Sequence, residues 1–207
     1  MRPNSRGALI AALALSAAAA GAGVAQDAFN RDPAAVRSGT YALDPDHGKI
    51  TWSVSHMGFS TYQGQFVGVD ADLLLDAADP AASRLEVTVP LTEVDSNSDG
   101  LDQHLQTADF FDTANHPNAR FVATSITVDA DDPREAEITG DLTLRGVTRP
   151  VSIDARFNQS GELFGAYVVG FDGETTIRRS DFGIEYGLPL LGDEVTLHIE
   201  AEFRLQG

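Results

Sequence analysis

Residues 138–157, ITGDLTLRGVTRPVSIDARF, decide the fold of this chain. Inward candidates occupy every second position on both sides of a short glycine-containing segment, residues 145–148. A period of two is typical of half-buried β-strands, and a short polar connection between two such runs predicts an antiparallel hairpin. The alternating positions are Ile138, Gly140, Leu142 and Leu144 before the connection, and Val151, Ile153, Ala155 and Phe157 after it.

The same alternation recurs along most of the chain. It predicts a turn at residues 159–161 and a bulge at Gly68, where the phase of the second strand slips. About eight strands with mostly short connections indicate an all-β fold whose antiparallel sheet closes or packs on itself. The predicted strands lie near residues 50–54, 65–75, 85–89, 121–128, 138–144, 151–157, 166–177 and 195–205.

One segment, residues 98–108, breaks the alternation. Leu101, Leu105 and Ala108 fall at helical spacing, so we expect a short helix after the third strand. Phe110 and Phe111 follow directly. Two adjacent phenylalanines are costly to leave in water, so we expect them to plug the core or the mouth of a cavity.

The N-terminus has the pattern of an export signal. Arg2 and Arg6 precede an apolar run over residues 8–20, and small residues lead to a cleavage motif at residues 23–25. We therefore predict a signal peptide over 1–25, a flexible N-terminal extension over 26–39, and a barrel domain over 40–207, which places the mature protein in the periplasm. A retained anchor is the alternative, but the run is short and no second apolar stretch of spanning length follows.

Composition limits the partners and the chemistry. The chain of 207 residues carries a net charge of −17, and such an acidic protein is repelled by nucleic acid and by anionic headgroups. It has no cysteine, its five histidines lack metal-binding spacing, and no Gly-x-Ser-x-Gly motif occurs. We expect no catalytic residue, no metal and no required cofactor.

Several segments in order resemble the YceI-like family of exported, lipocalin-like proteins. The resemblance implies a lipocalin-like antiparallel β-barrel that holds a polyisoprenoid or a related quinone-like amphiphile. Two departures, Arg178 in place of an expected Asn and the segment 94–98, concern the mouth of the barrel. The matching pieces are YALDPDH (41–47), SHMGFS (55–60), GQF (64–66), HLQTADFFD (104–112), Pro117 with Phe121, GDLTLRGVT (140–148), RSDFGI (179–184) and GDEV (192–195).

The alternation and the resemblance together give a set of candidate ligand-binding residues. They are Trp52, Val54, His56, Phe66, Leu73, Leu105, Phe110, Phe111, Leu142, Ile153, Phe157, Arg178, Phe182, Leu197 and Ile199. For each a plainer interpretation stays open: core filling for the apolar residues, a structural hydrogen bond for His56, and pairing with nearby carboxylates for Arg178.

Three functions follow as hypotheses. The first is a periplasmic binding or carrier protein for an isoprenoid-type lipid, without nucleic acid or a permanent membrane span as partner. The second is an enzyme acting on such a lipid, which requires ionisable residues in the middle of the barrel. The third is a ligand-free structural or stress-response barrel, filled by its own side chains. The sequence leaves a homodimer open.

Overall fold

The computed structural model describes residues 29–207. Within this range the chain forms twelve β-strands, one short α-helix and several 3₁₀ turns. The elements are β1 (Phe29–Asn30), β2 (Gly39–Leu43), β3 (Lys49–His56), β4 (Ser60–Phe66), β5 (Asp70–Leu75), β6 (Arg84–Pro90), β7 (Val94–Asp95), α1 (Asp99–Leu105), β8 (Asn118–Val128), β9 (Glu135–Leu144), β10 (Val147–Leu163), β11 (Ala166–Arg178) and β12 (Leu191–Leu205).

Six of the strands combine in pairs, end to end, into three long, interrupted strands of the barrel. We call each of these, and each of the five long single strands, a stave. Both β2 and β3 pair antiparallel with β12, β2 along its end and β3 along its start, so β2 and β3 run in line. In the same way β4 and β5 pair with β3 and β2, and β7 and β6 pair with β4 and β5. With the five strands β8 to β12, these three make eight staves.

The eight staves close into a ring in which neighbours in sequence are neighbours in space. The third stave joins the fourth through β6 and β8, where Val87 lies opposite Phe121. The last joins the first where Phe203 lies opposite Leu43 and Leu197 opposite Trp52. Closure leaves no open sheet edge around the ring. The predicted lipocalin-like barrel of eight antiparallel strands, with a short helix after the third, is confirmed.

Two details differ from the predicted strands. The run 65–75 is divided between β4 and β5, because Gly68 adopts a φ of +67° and takes residues 67–69 out of the ladder. The turn predicted at residues 159–161 is wrong: β10 continues to Leu163, and the chain turns at Phe164 and Gly165 instead. Gly161 stays in the sheet because it pairs with Val168 of β11 on one side and Phe29 of β1 on the other.

The segment before β2, part of the predicted flexible extension, lies against the barrel. After β1 it makes a 3₁₀ turn at Pro33–Ala35 and buries Val36. Arg37 pairs with Glu162 at 2.6 Å and lies 4.2 Å over the ring of Tyr167. The predicted signal peptide, residues 1–25, lies outside the described residues. Within 29–207 no helix has the length and hydropathy to cross a membrane.

The two ends of the barrel differ in construction. The helix end carries α1, the hairpin turns at residues 57–59 and 145–146, and the long loop 179–190. The opposite end carries the connections at residues 76–83 and 129–134 and the 3₁₀ turn near Val36. One apolar cluster packs at each end, centred on Phe182 and Leu91 at the helix end and on Tyr41 and Val169 at the opposite end.

A buried carboxylate stabilises the corner between β2 and β3. Asp44 is 4% exposed and accepts hydrogen bonds from Arg204 Nε at 2.9 Å, from His47 Nδ1 at 2.8 Å and from the Asp46 amide at 3.1 Å. Burial alone would raise the pKa of Asp44, but the hydrogen bonds from His47, Arg204 and Asp46 outweigh it and lower the pKa to about 2.

Replacing this carboxylate should therefore lower stability in a pH-dependent way. Because the folded pKa lies below the ordinary 3.8, the stabilisation is present above about pH 5 and is lost as the pH falls towards 2. We expect Asp44→Asn to reduce the free energy of unfolding at neutral pH by about 1–2 kcal/mol. The expected loss is this small because Arg204 is half-exposed, and solvent screens its interaction with the carboxylate. Urea unfolding of the wild type and the variant at neutral and acidic pH measures this loss of stability.

The exposed neighbour Asp46 provides the control. Asp46→Asn keeps the Asp46 amide that donates to Asp44, and it should change stability by less than about 0.5 kcal/mol. A gap between the wild type and Asp44→Asn that stays constant from pH 7 to pH 2 would contradict this account of the corner.

Candidate functional site

A cavity of about 510 Å³ lies inside the barrel. This volume is in the range of about 300–1,000 Å³ that is usual for small-molecule sites. The inward faces of all eight staves contribute to its wall, since alternate residues along each strand point inwards. Its middle is formed by aliphatic side chains, among them Val87, Ile138, Ile153, Leu197 and Ile199.

Small residues at inward positions keep this space open. Ala155 lies opposite Ala136 on β9 and Gly173 on β11, and all three line the cavity, as does Ala201. Not every small residue contributes in this way. A side chain at Gly140 would overlap the ring of Phe121, so that ring fills the space that Gly140 leaves.

The cavity is closed at the helix end and open at the other. At the helix end most of the lining residues are buried or half-buried, with Leu91 at 1% and Ile184 at 2% exposure. At the opposite end the lining includes exposed residues such as Ala34 and Pro133. We define the mouth as this opposite rim, formed by residues 33–36, 77–83 and 133–134.

Most of the candidate residues from the sequence meet in this one cavity. Twelve of the fifteen line the wall, nine of them because strand alternation points them inwards and three from α1 and the segment after it. They are Trp52, Val54, Phe66, Leu73, Leu105, Phe110, Phe111, Leu142, Ile153, Phe157, Leu197 and Ile199.

Three candidates lie outside the lining. His56 is the last residue of β3, and its ring lies 6.5 Å from that of Tyr62. Arg178 is exposed and donates to Asp193 at 3.1 Å. It therefore forms a surface ion pair with a nearby carboxylate, which was the plainer of the two interpretations of this residue. Phe182 is buried in the apolar cluster of the helix end. All three lie at the helix end: His56 and Arg178 are the last residues of their strands, and Phe182 lies in the connection after β11. Alternation after the inward Ile177 places Arg178 outside, as observed.

Arg179, and not the predicted Arg178, is the arginine that points into the barrel. Arg179 begins a 3₁₀ turn, is 6% exposed and lines the cavity. Its guanidinium donates to the carbonyl oxygens of Ile184, Tyr186, Leu191 and Gly192, at 2.7–3.2 Å. Burial lowers the pKa of Arg179, against the raising influence of Asp193. Arg179 thus fixes the path of the loop 179–190. The sequence favours Arg178 as the candidate, whereas its neighbour Arg179 is the arginine that turns inwards.

A second arginine and an aromatic group complete the closed end. Arg145 donates through Nη2 to the Ala108 carbonyl at 2.6 Å and through Nη1 to the Gly183 carbonyl. It thereby joins the segment after α1 to the loop 179–190. The ring of Phe110 packs against His104 at 5.0 Å and Tyr186 at 5.2 Å. Phe111 packs against Phe66 at 5.7 Å. The two phenylalanines therefore belong to the closed floor of the cavity.

Charged residues collect near the opposite end rather than in the middle. A polar recess of about 760 Å³ meets the cavity there, and the charged residues Lys49, Arg134, Asp172 and Glu200 line both. Burial is the main cause that raises the pKa of Glu200, and its hydrogen bond with Asp172 adds to this. Asn158 Nδ2 donates to Asp172 at 2.5 Å. This region therefore carries charges of both signs.

One group of side chains has the arrangement of a metal site. Asp44, His47 and Glu202 each offer one ligand atom, and these atoms lie within 4.8 Å of one another. Arg204 already donates twice to the same Asp44 oxygen that faces His47. A cation there would have to displace a guanidinium, so we assign no metal to this group.

The closed ring of eight staves and the enclosed apolar cavity define a lipocalin-like barrel. A family model described as the YceI-like domain matches residues 41–203. The chain belongs to the YceI-like family.

Individual relatives agree with this assignment. The chain is 38% identical over 196 residues to a UPF0312 protein of Azotobacter vinelandii, covering 93% of this chain and 95% of that protein. The crystal structure of Burkholderia cenocepacia BcnA is similar, with a TM-score of 0.70 at 23% identity, covering 77% of this chain and 98% of that one. A polyisoprenoid binding domain from Saccharophagus degradans, implicated in plant cell wall breakdown, has a TM-score of 0.62 at 13% identity, covering 82% and 100%.

The role assigned to Arg179 can be tested by a substitution that keeps its charge. Lysine places three N–H groups on one nitrogen and cannot reach carbonyls spread along the loop. We expect Arg179→Lys to lower the free energy of unfolding by about 2–4 kcal/mol, since buried carbonyls lose their donors. Amide hydrogen exchange should show faster opening of the loop 179–190 than of the strands.

Arg178→Lys is the matched control, because Arg178 forms an exposed ion pair. It should change stability by less than about 1 kcal/mol. Equal losses in the two variants would show that the carbonyl contacts of Arg179 do not hold the loop.

Proposed function

We propose that this protein is a periplasmic carrier that holds a polyisoprenoid, or a related quinone-like amphiphile, inside its barrel. The observation that carries the proposal is the enclosed apolar cavity of about 510 Å³, closed at the helix end and open at the mouth. Its shape suits a slender, flexible hydrocarbon. The fold similarity to a polyisoprenoid binding domain supports the same class of ligand.

The lining explains how such a ligand can be held without a strong polar anchor. Burial of each methylene-sized unit contributes about 0.8 kcal/mol. An isoprenoid tail buries many such units against walls made of aliphatic and aromatic side chains. The open volume also argues against a barrel filled by its own side chains, since close-packed interiors leave few voids larger than a water molecule.

The cellular location is part of the proposal. The pattern of residues 1–25 is that of a cleaved export signal, and the absence of cysteine suits an oxidising compartment. A carrier in an aqueous compartment must shield its cargo from water, which the closed helix end and the continuous ring of staves allow.

Native mass spectrometry with organic extraction, on protein purified from its own periplasm, tests this function. We expect the purified protein to carry one bound apolar species of an isoprenoid mass series. A lipid added to the protein should be recovered unaltered after incubation. Conversion of an added lipid into a product would favour the enzyme instead. A protein that carries no lipid and refuses added polyprenols and quinones would overturn the proposal.

A substitution that fills the cavity should abolish loading without unfolding the barrel. Ala155 lines the cavity opposite Ala136, so a larger ring there would extend into the open space. We expect Ala155→Phe to reduce the bound lipid at least tenfold in extracted protein. The free energy of unfolding should fall by no more than about 3 kcal/mol.

Asp154→Phe places the same ring on the outer face of the same strand, because alternate residues face opposite ways. This control should retain the lipid content of the wild type. Unchanged lipid in Ala155→Phe would mean that the ligand does not occupy the middle of the barrel.

A further inference from the structure

An exposed phenylalanine forms the tip of the hairpin that joins β10 to β11. Phe164 is 97% exposed, the highest value among the large hydrophobic side chains within residues 29–207. Its ring therefore makes almost no contact with the described part of the chain. Leaving an aromatic side chain in water in this way forgoes the stabilisation that burial would give.

The turn itself does not favour a phenylalanine. Phe164 and Gly165 are the two central residues between the paired Leu163 and Ala166, with φ of +49° and +86°. Asparagine or glycine is preferred at the first of these positions, and a bulky side chain is strained there. Arg145 occupies the same position in the turn between β9 and β10, but its guanidinium is bonded to two loop carbonyls. Neither the turn nor packing accounts for Phe164.

The hairpin lies at the mouth and extends past its rim. The ladder between β10 and β9 ends where Arg156 lies opposite Glu135, next to the rim residues 133–134. Beyond this point β10 continues to Leu163, paired with β11. At about 3.3 Å per residue, the turn lies roughly 20 Å farther along the strand. Phe157 and Phe171, at the base of the hairpin, line the cavity. The tip therefore projects from the wall of the open end.

The tip carries no charge, although the protein as a whole is acidic. Residues 163–171, LFGAYVVGF, contain no charged side chain in a chain of net charge −17. The preceding Glu162 is paired with Arg37 at 2.6 Å, and the same guanidinium lies over the ring of Tyr167. The tip can therefore enter an apolar environment without burying an unpaired charge of its own.

We propose that the hairpin tip, residues 163–166, docks this protein onto an electrically neutral lipid bilayer, with the Phe164 ring inserted at the headgroup boundary. The mouth then faces the bilayer, so an isoprenoid-type lipid passes into the cavity without crossing bulk water. A single ring gives weak and reversible attachment, which a carrier needs in order to leave with its cargo. The bilayer is neutral because the net charge of −17 repels an anionic surface. This inference rests on the proposed lipid-binding function.

The helix end offers the matched control surface. Met57, Phe59, Tyr186 and Leu190 are exposed there. The Met57 amide donates to the Leu190 carbonyl at 3.0 Å, so the β3–β4 turn and the loop 179–190 are neighbours. The cavity is closed at this end, and docking through it would turn the mouth away from the bilayer. Phe59, at 89% exposure, is therefore the counterpart of Phe164.

Loading from vesicles tests the docking. Delipidated protein is mixed with phosphatidylcholine vesicles that contain a tritiated polyprenol, and the protein-bound label is counted after the vesicles are removed by centrifugation. We expect Phe164→Asn to slow loading about tenfold, because the inserted ring is lost. Loading from detergent micelles should be unchanged, and stability should not fall, because asparagine suits this turn. Phe59→Ser should load from vesicles at the rate of the wild type.

A fluorescent label reports the contact directly. Because the chain has no cysteine, Phe164→Cys and Phe59→Cys each provide a single site for an environment-sensitive fluorophore. On phosphatidylcholine vesicles we expect a blue shift of the emission for Phe164→Cys and none for Phe59→Cys. The shift should be smaller on vesicles that also contain phosphatidylglycerol, since that lipid is anionic.

The outcomes separate the docking from the carrier function. If the wild type takes up no polyprenol from vesicles or from micelles, the lipid-binding function itself fails. If it loads from both and Phe164→Asn loads from vesicles as fast as the wild type, the carrier stands and the role of the tip is overturned. Uptake from micelles alone would call for a partner protein, and slower loading confined to Phe59→Ser would place the contact at the helix end. Either result also overturns the proposed docking.

Discussion

The structure depends on the pairing of β12 with three strands at once. This strand joins β11 along one side, and along the other it pairs first with β3 and then with β2. Without it, the first and last staves would be open edges. Because its period of two is uninterrupted from Val195 to Phe203, one face lies inside over its whole length. The same pairing that closes the ring therefore builds the wall of the cavity.

Closure also explains where the barrel tolerates irregularity. The corner at residues 44–48 and the break at Gly68 both lie in the first two staves, where the chain leaves the ladder and returns to it in line. Each interruption is compensated by other bonds. Asp44 and Arg204 join the corner to the end of β12, and the Val67 amide donates to the Glu93 carbonyl at 3.4 Å. Long staves interrupted in this way can curve around a cavity instead of packing flat.

The sequence predicts the part of this structure that strand periodicity controls. Nine candidate residues share one cavity because alternation along their strands places them inside, and Leu105, Phe110 and Phe111 join them from α1 and the segment after it. The prediction from periodicity fails where pairing between distant segments decides the local structure. The turn-like residues 159–161 stay in the sheet because β1 and β11 pair with the two sides of β10. Periodicity also fails at the helix end, where a connection rather than a strand directs Arg179 and Phe182.

Affinity and selectivity therefore have separate sources in this barrel. The aliphatic middle, with Ile138, Ile153 and Leu197, contributes binding energy in proportion to buried area and distinguishes poorly between chains of similar shape. Selectivity requires a group that one ligand satisfies and another does not. The net charge of −17 adds a bias against anionic headgroups.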